Sequence, residues 1–423
     1  MKRKLLYILF LIPVFTSCLE SPEMTTGIVN GKEKPTVITG KIELHSCLDG
    51  RLFFQGEITS MGKAEITERG FYWDTVFIDD GKGKRILSDA NTDSFSCELR
   101  NASGDKTYYW RAFAKNKHGE EFGEIRSIQA PKIWDAKKSL GANGRGSGAV
   151  VAHNNKIYIV CGEFVPGGPL NEVWKYDIVN NDWFYPNTFI GGNRRYPVAF
   201  TIGNKLYAGT GQRANQVEFN DLFRYEEDDD KWTVITTPDD FLARYDAKAF
   251  SLNGKGYIVG GRSDITGVGG FFNDVWQYSP ETDFWEKKGD FPVKFYGGIC
   301  ITGNNRVFVG FNYYSEDPKV LWEYDNKTDK WNYFTELPDN VGKIFSGAIV
   351  QDSIYIVDEK NIIWVCDMNN LTKTWKSKTN LPTEFLNNYG EGGNQNLIAS
   401  GNSIYVGLGF TRSFYEYRPL WDN

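Results

Sequence analysis

The sequence predicts an all-β protein in which one four-stranded sheet is repeated six times, and three series of landmarks carry that prediction. Trp134, Trp183, Trp232, Trp285, Trp331 and Trp375 recur 44 to 53 residues apart. An apolar run with an aromatic or apolar core recurs with them, as in Ile157-Tyr158-Ile159-Val160, Leu206-Tyr207-Ala208-Gly209 and Gly256-Tyr257-Ile258-Val259, and again from Val307, Ile354 and Ile404. Downstream of each comes a third run, as in Val173-Trp174-Lys175-Tyr176, Leu222-Phe223-Arg224-Tyr225 and Val275-Trp276-Gln277-Tyr278, then from Leu321, Ile363 and Phe414. Self-similarity at this period marks a repeat architecture. The 15% aromatic content and 44 glycines agree with it, because aromatic side chains suit pleated surfaces and glycines suit the turns between strands.

In chain order, residues 1–17 read as a targeting segment. Lys2, Arg3 and Lys4 precede an apolar stretch from Leu5 to Phe15, interrupted by Pro13 and shorter than the roughly 20 residues a membrane-spanning helix needs. It ends in Phe15-Thr16-Ser17-Cys18, which resembles a bacterial lipobox, with Phe15 in place of the usual Leu. The resemblance implies lipidation at Cys18, export, and attachment to the outer membrane through the lipid anchor alone, on its surface or its periplasmic face. Residues 18–34 are then a tether. Removing residues 1–17 takes three positive charges and moves the net charge from −6 to −9. An acidic chain with no basic run is a poor partner for nucleic acid or anionic lipid.

Residues 35–130 alternate apolar and polar positions, as in Arg51-Leu52-Phe53-Phe54-Gln55-Gly56 and Thr107-Tyr108-Tyr109-Trp110-Arg111-Ala112-Phe113, with turns such as Ser103-Gly104-Asp105 between them. That pattern predicts a small antiparallel β-sandwich. The strings Glu68-Arg69-Gly70-Phe71-Tyr72-Trp73 and Tyr109-Trp110-Arg111-Ala112-Phe113-Ala114 resemble fibronectin type III-like modules of Bacteroidota surface proteins. The exported setting permits a Cys47–Cys97 bridge. Cys161, Cys300 and Cys366 sit in apolar runs and read as buried small hydrophobes.

In residues 131–423 each unit reads as four short strands: a small-residue first strand, a tight hairpin such as Asn253-Gly254, an apolar second strand, an alternating third, and a fourth carrying the Trp. A four-stranded sheet at this period is a β-propeller blade. The Gly pair Gly260-Gly261, the Tyr and the spaced Trp resemble the kelch motif, which implies a six-bladed kelch β-propeller. Trp134 precedes the first unit, so its strand is expected to complete the last sheet beside Phe414–Tyr417; Trp421 is the competitor for that place.

Enzymatic kelch proteins set a standard that this sequence can be held to. Only His45, His118 and His153 are present, and just His153 lies in the repeats. A copper-radical site of the galactose oxidase type needs more imidazole than that, and so do zinc sites and a Ser/His/Asp triad. No P-loop occurs. The expectation is a binding protein without cofactor or metal rather than an enzyme. What recurs is cationic: Arg145, Arg195 (with Arg194), Arg244, Lys294 and Lys343 stand 49 or 50 residues apart, ahead of each first strand, with Tyr389 and Glu391 in the sixth unit. In a propeller these positions ring one mouth of the central channel, where a positive field suits a glycan acid or an acidic protein ligand. Tyr196, Tyr245, Phe295, Tyr296 and Phe345 stand beside them. The same residues equally suit structural bonds to carbonyls between sheets. A second functional reading is a sugar mutarotase resembling the kelch-type sialic acid mutarotases, with Glu391 beside Arg195 and Arg244 as acid and base. A third is a structural subunit of an envelope complex.

Overall fold

The computed structural model describes residues 33–42, 50–79, 83–141, 143–164, 166–185, 188–265, 269–312, 317–385 and 395–422. Cys18, Cys47, Tyr389 and Glu391 lie outside the described residues. The chain divides into two compact units, with Ile128 the last residue of the first and Gln129 opening the main body of the second. Among the described residues no helix is long and apolar enough to cross a membrane.

The first unit is two sheets. Strands Thr36–Thr39, Leu52–Ser60 and Ser94–Leu99 form one, and Lys84–Leu87, Ile66–Asp74, Thr107–Asn116 and Gly119–Phe122 run side by side in the other. Alternation along the strands sends one set of side chains inward, and the two sheets meet through aromatic rings. Phe54 stacks on Trp110 at 5.6 Å, and Phe71 meets Phe95 at 5.2 Å. Cys97 is buried in this core, and burial pushes its thiol up to about 11.

Among the described residues the second unit contains six four-stranded antiparallel sheets. The first runs Ala149–His153, Lys156–Val160, Val173–Asp177 and Asp182–Phe184. The next four repeat the order from first strands Val198–Ile202, Lys248–Leu252, Ile299–Gly303 and Ile344–Val350. The last joins Asn396–Ser400, Ser403–Gly407 and Phe414–Tyr417 to Trp134–Ala136 from the other end of the repeats, Tyr415 pairing with Ala136. Each first strand packs against the next, and Asn396–Ser400 packs against Ala149–His153, so the sheets close into the ring of a β-propeller. Trp134 pairs with Tyr417 and stacks on it at 4.5 Å, whereas Trp421 lies buried in the 3-10 turn Pro419–Trp421.

The repeated aromatics explain the repeated sheets. In each of four consecutive sheets a third-strand Tyr meets the fourth-strand Trp: Tyr176–Trp183 at 4.9 Å, Tyr225–Trp232 at 5.0 Å, Tyr278–Trp285 at 5.1 Å and Tyr324–Trp331 at 4.9 Å. The same Tyr hydroxyls donate to Asn181, Asp230, Asp283 and Asp329 at 2.6–2.8 Å. Those acceptors carry φ of 48–55° in the intervening turn, so one side chain packs the sheet and also fastens its hairpin. At the inner hairpin, Asn253 and Gly254 have φ of 52° and 74°, the left-handed pair that a tight hairpin twist requires.

Neighbouring sheets are also tied by charge. Glu227, in the second sheet's outer turn, accepts from Lys156 at 2.6 Å, Lys175 at 2.8 Å and the Tyr158 hydroxyl at 2.9 Å, all three from the first sheet. Burial alone raises the Glu227 carboxyl, but these three donors outweigh it and hold the group down at about 2. A depressed folded-state value means that the stabilisation is present above the ordinary value near 4.5 and is lost as pH falls toward 2. Glu227→Gln is therefore expected to lower the denaturation midpoint at neutral pH and to flatten the fall in stability between those limits. Urea titrations across that window check it, and parallel curves for parent and variant contradict it.

Candidate functional site

The approach to each first strand builds the site. Ser147, Tyr196, Asp246 and Gly297 occupy equivalent places there, all with φ of 53–71°. Tyr196 donates its N–H to the Ser147 carbonyl at 2.7 Å, Asp246 to Tyr196 at 3.2 Å, and Gly297 to Asp246 at 3.1 Å. Each turn is thus bonded to the turn of the sheet before it. A left-handed residue with a side chain costs roughly 1–2 kcal/mol, and the inter-sheet bonds offset that strain. The second strands end in a matching way, at Cys161-Gly162, Thr210-Gly211 and Gly260-Gly261, all with positive φ. These bends send the chain into short ribbons that begin with Glu163, Gln212 and Arg262. Gly146 bridges to Glu163, Arg195 to Gln212 and Tyr245 to Arg262.

The equivalences correct the predicted ring of cations. Gly162 donates to the Arg194 carbonyl at 3.0 Å, Gly211 to Arg244 at 2.8 Å and Gly261 to Phe295 at 2.7 Å, which puts Arg194, Arg244 and Phe295 in one register. Arg145 belongs with them, and Lys294 stands one residue before Phe295. Arg195 falls one residue later, beside Gly146 and Tyr245. Lys343 joins that later register, since its carbonyl accepts from Glu359 at 2.8 Å as Gly146, Arg195 and Tyr245 accept from their ribbons at 2.8–2.9 Å. The even spacing in sequence therefore runs through three structural positions.

The earlier register is structural. Arg244 is fully buried between Phe241 and Phe272, each 4.5 Å from its guanidinium. It donates to both Asp274 oxygens at 2.6 and 2.9 Å, to the Gly260 carbonyl at 3.0 Å and to the Leu242 carbonyl at 2.9 Å. Burial raises the Asp274 carboxyl, but the bonds from Arg244 prevail and hold it below its ordinary range. Arg194 repeats the arrangement with Asp221 at 2.6 and 3.1 Å and the Thr210 carbonyl at 2.8 Å. Arg145 is buried and pairs with Glu172 at 2.7 Å. In the fourth sheet Phe295 replaces the arginine and Val320 the acid, so charge and partner are lost together. Lys294 is exposed.

The later register opens onto a cavity of about 450 Å³. Arg195, Tyr245, Arg262, Tyr296 and Lys343 line it, with Tyr196, Asp246, Lys248, Asp264 and Phe345. It narrows along the first strands into a further space of about 180 Å³ that shares Lys248, Phe345 and Asn396. Arg195 donates to Gln212 at 3.0 Å and to Glu163 at 3.2 Å. Arg262 donates to Asp264 at 2.7 Å, and its guanidinium lies 5.1 Å from the Tyr245 ring and 5.2 Å from that of Tyr296. The Tyr245 hydroxyl donates to the other Asp264 oxygen at 2.7 Å. Arg262 and Tyr245 together hold the Asp264 carboxyl below its ordinary range, while burial and Asp264 push the Tyr245 hydroxyl up.

Sequence reasoning missed Gln212, Arg262 and Asp264. The only signal for them was their position just after the glycine that ends each second strand, where residue type does not repeat. Of the predicted aromatics, Tyr196, Tyr245, Tyr296 and Phe345 face the cavity and Phe295 is buried in the core. Among the described residues no group of three or more His, Cys, Asp and Glu is placed to hold a metal ion. Burial pushes the thiols of Cys161 and Cys300 up to about 12 and that of Cys366 up to about 11, far from a reactive thiolate.

The comparisons with known proteins agree with this architecture. Part of the chain is similar to kelch repeats: the KLHDC2/KLHL20/DRC7 Kelch-repeats domain matches residues 133–311. Kelch-like protein 25 of Xenopus tropicalis is 25% identical over 285 residues, 63% of this chain and 46% of that protein. N-acetylneuraminate epimerase of Haemophilus influenzae (strain PittEE) is 26% identical over 209 residues, 40% of this chain and 53% of that protein. The chain thus spans about half the length of the curated relatives it matches. Among solved structures, the one described as the structure of YjhT superposes with a TM-score of 0.52 at 16% identity, covering 66% of this chain and 95% of that one. That likeness is one of fold.

The strut register makes its own prediction. Arg244→Ala leaves Asp274 half-buried without its cation and is expected to cost about 3–5 kcal/mol. Arg244→Phe combined with Asp274→Val copies the fourth sheet's solution and should recover most of that loss. Denaturant unfolding of the three proteins measures both; a single variant costing less than about 1 kcal/mol, the range of an exposed pair, contradicts the strut role.

Proposed function

We propose that this protein is a non-catalytic binding module, with the six four-stranded sheets as the six blades of its propeller. It holds a glycan or an acidic partner at the channel mouth. The observation that carries this reading is the cavity itself, where Arg195, Arg262 and Lys343 stand among Tyr196, Tyr245, Tyr296 and Phe345. Charged donors fix a ligand's polar groups and aromatic faces cover its apolar ones, the usual composition of a recognition site. Arg195 and Lys343 come from the predicted set; Arg145 and Arg244 serve the blades instead. In this reading the N-terminal sandwich is a fibronectin type III-like spacer, and Cys18 carries the lipid that anchors the exported chain to the outer membrane.

A second reading is favoured by the likeness to N-acetylneuraminate epimerases. A sugar mutarotase or epimerase needs an acid and a base beside its substrate. The Tyr245–Asp264 pair, facing the cavity at 2.7 Å, supplies a candidate for those roles.

The full chain and an Arg195→Ala, Arg262→Ala double variant, presented with immobilised glycans and acidic peptides, separate these readings. Binding by the parent that falls about tenfold or more in the double variant, with its melting temperature kept, supports the mouth as the site. Equal binding by both proteins sinks it. Accelerated anomer exchange of N-acetylneuraminate in NMR spectra favours the second reading over the first. For the anchor, Cys18→Ser should move the protein into the soluble exported fraction, because acyl burial contributes about 0.8 kcal/mol per methylene. A variant that stays in the membrane pellet like its parent refutes the lipidation site.

A further inference from the structure

Arg195, Lys248 and Arg262, which line the cavity, each carry a resident carboxylate. Arg195 meets Glu163 at 3.2 Å, Lys248 meets Asp246 at 3.1 Å, and Arg262 meets Asp264 at 2.7 Å. The mouth is therefore a run of ion pairs across adjoining blades and not a ring of like charge. An anionic ligand entering it has to compete with a carboxylate already in place, and meets a field in which positive and negative groups alternate.

We infer that the ligand class of this site is a neutral polyhydroxylated compound, a sugar or oligosaccharide without an ionised group. The inference rests on the binding reading given above and narrows it. A hydroxyl both donates and accepts. It fits between an arginine donor and an aspartate acceptor without stripping either charge of its partner, and each bond it makes is charge-assisted. An added carboxylate or sulfate gains the cation only by displacing Glu163, Asp246 or Asp264, and leaves that group to be repaired by water.

The aromatic lining fits the same class. Tyr196 and Tyr245 lie 6.0 Å apart, and Phe271 stacks on Tyr296 at 4.6 Å with a 7° interplanar angle. The Arg262 guanidinium lies within reach of Tyr245, Tyr296 and Phe271, at 5.1, 5.2 and 5.9 Å. Flat rings beside fixed donors and acceptors match a sugar, whose C–H faces are apolar and whose rim is hydroxyl. Asp264 is the positioning residue of this group: its two oxygens are held by Arg262 and the Tyr245 hydroxyl, and its backbone N–H donates to buried Glu218 at 2.7 Å. That frame keeps the guanidinium aimed before any ligand arrives, which lowers the ordering cost of binding.

The test is an array of neutral oligosaccharides printed beside their uronate and sialylated counterparts. It is probed with the full chain and with Arg262→Ala at low and at high salt. The expected result is binding to neutral members that changes by less than about twofold with salt, since no long-range ion attraction drives it. Arg262→Ala should weaken that binding about tenfold or more while keeping the parent's melting temperature. Binding confined to the acidic members and falling with salt overturns the neutral class but leaves the mouth as the site, provided Arg262→Ala still abolishes it. Neutral binding that Arg262→Ala leaves unchanged overturns the inference together with the mouth. Binding to no glycan at all overturns it too, and acidic-peptide capture lost in the double variant would then keep the mouth as a protein-binding site.

Discussion

The short pairing of Trp134–Ala136 with Phe414–Tyr417 carries the whole propeller. Every sheet in the ring is covered on both faces by its neighbours, so the first and the last sheets are covered only if the ring closes. Tyr176 of the first sheet packs on Phe414 of the last at 4.8 Å, and Tyr405 joins them. Trp134 stacks on Tyr417 and meets Tyr415, and both rings lose that cover if the last sheet stays three-stranded. A ring of separate four-stranded sheets leaves only short edge strands. The cost is topological, because a strand at the start of the domain has to wait for the last one before it pairs.

Closure sets the conditions under which a site can exist. Turns at the channel mouth are bonded from sheet to sheet through Ser147, Tyr196, Asp246 and Gly297, so a side chain on one turn is fixed relative to the next. Two neighbouring residues on this frame then take opposite tasks. The earlier one points into the packing and holds a half-buried carboxylate, as Arg244 holds Asp274. The later one points to solvent and meets the ribbon of its own sheet, as Arg195 meets Gln212. A one-residue step divides packing from cavity lining here, because successive side chains along an extended segment face opposite ways.

The ion pairs at the mouth differ in kind from the struts beneath it. Arg244 is sealed between two aromatic rings, and its charge is worth holding only because Asp274 and two carbonyls satisfy it. Arg195 retains 38% of its side-chain exposure and shares Gln212 and Glu163 with water. Exposed pairs contribute little to stability. Their arrangement is therefore free to serve a ligand, and the third sheet's Arg262, Asp264 and Tyr245 form the most closely bonded group among them.

By itself the sequence determined the repeated four-stranded sheets and the strand that completes the last of them. The reason is that a Tyr and a Trp do the same packing work in the first four sheets and in the last, so the same residue types return at a readable interval. The N-terminal sheets were legible for a similar reason, alternation along strands such as Thr107–Asn116. The mouth was legible only as a region. Arg145, Arg195, Arg244, Lys294 and Lys343 are evenly spaced in the chain, yet the repeats are not of one length: the first strands open at Ala149, Val198, Lys248 and Ile299. That difference decides which side chains are buried. Gln212, Arg262 and Asp264 were marked only by their place after the glycine that ends each second strand, because ribbon residue types differ from unit to unit. Only the tertiary structure, by bonding each left-handed turn to the next and each ribbon to its turn, decided which cations hold the blades and which face the cavity.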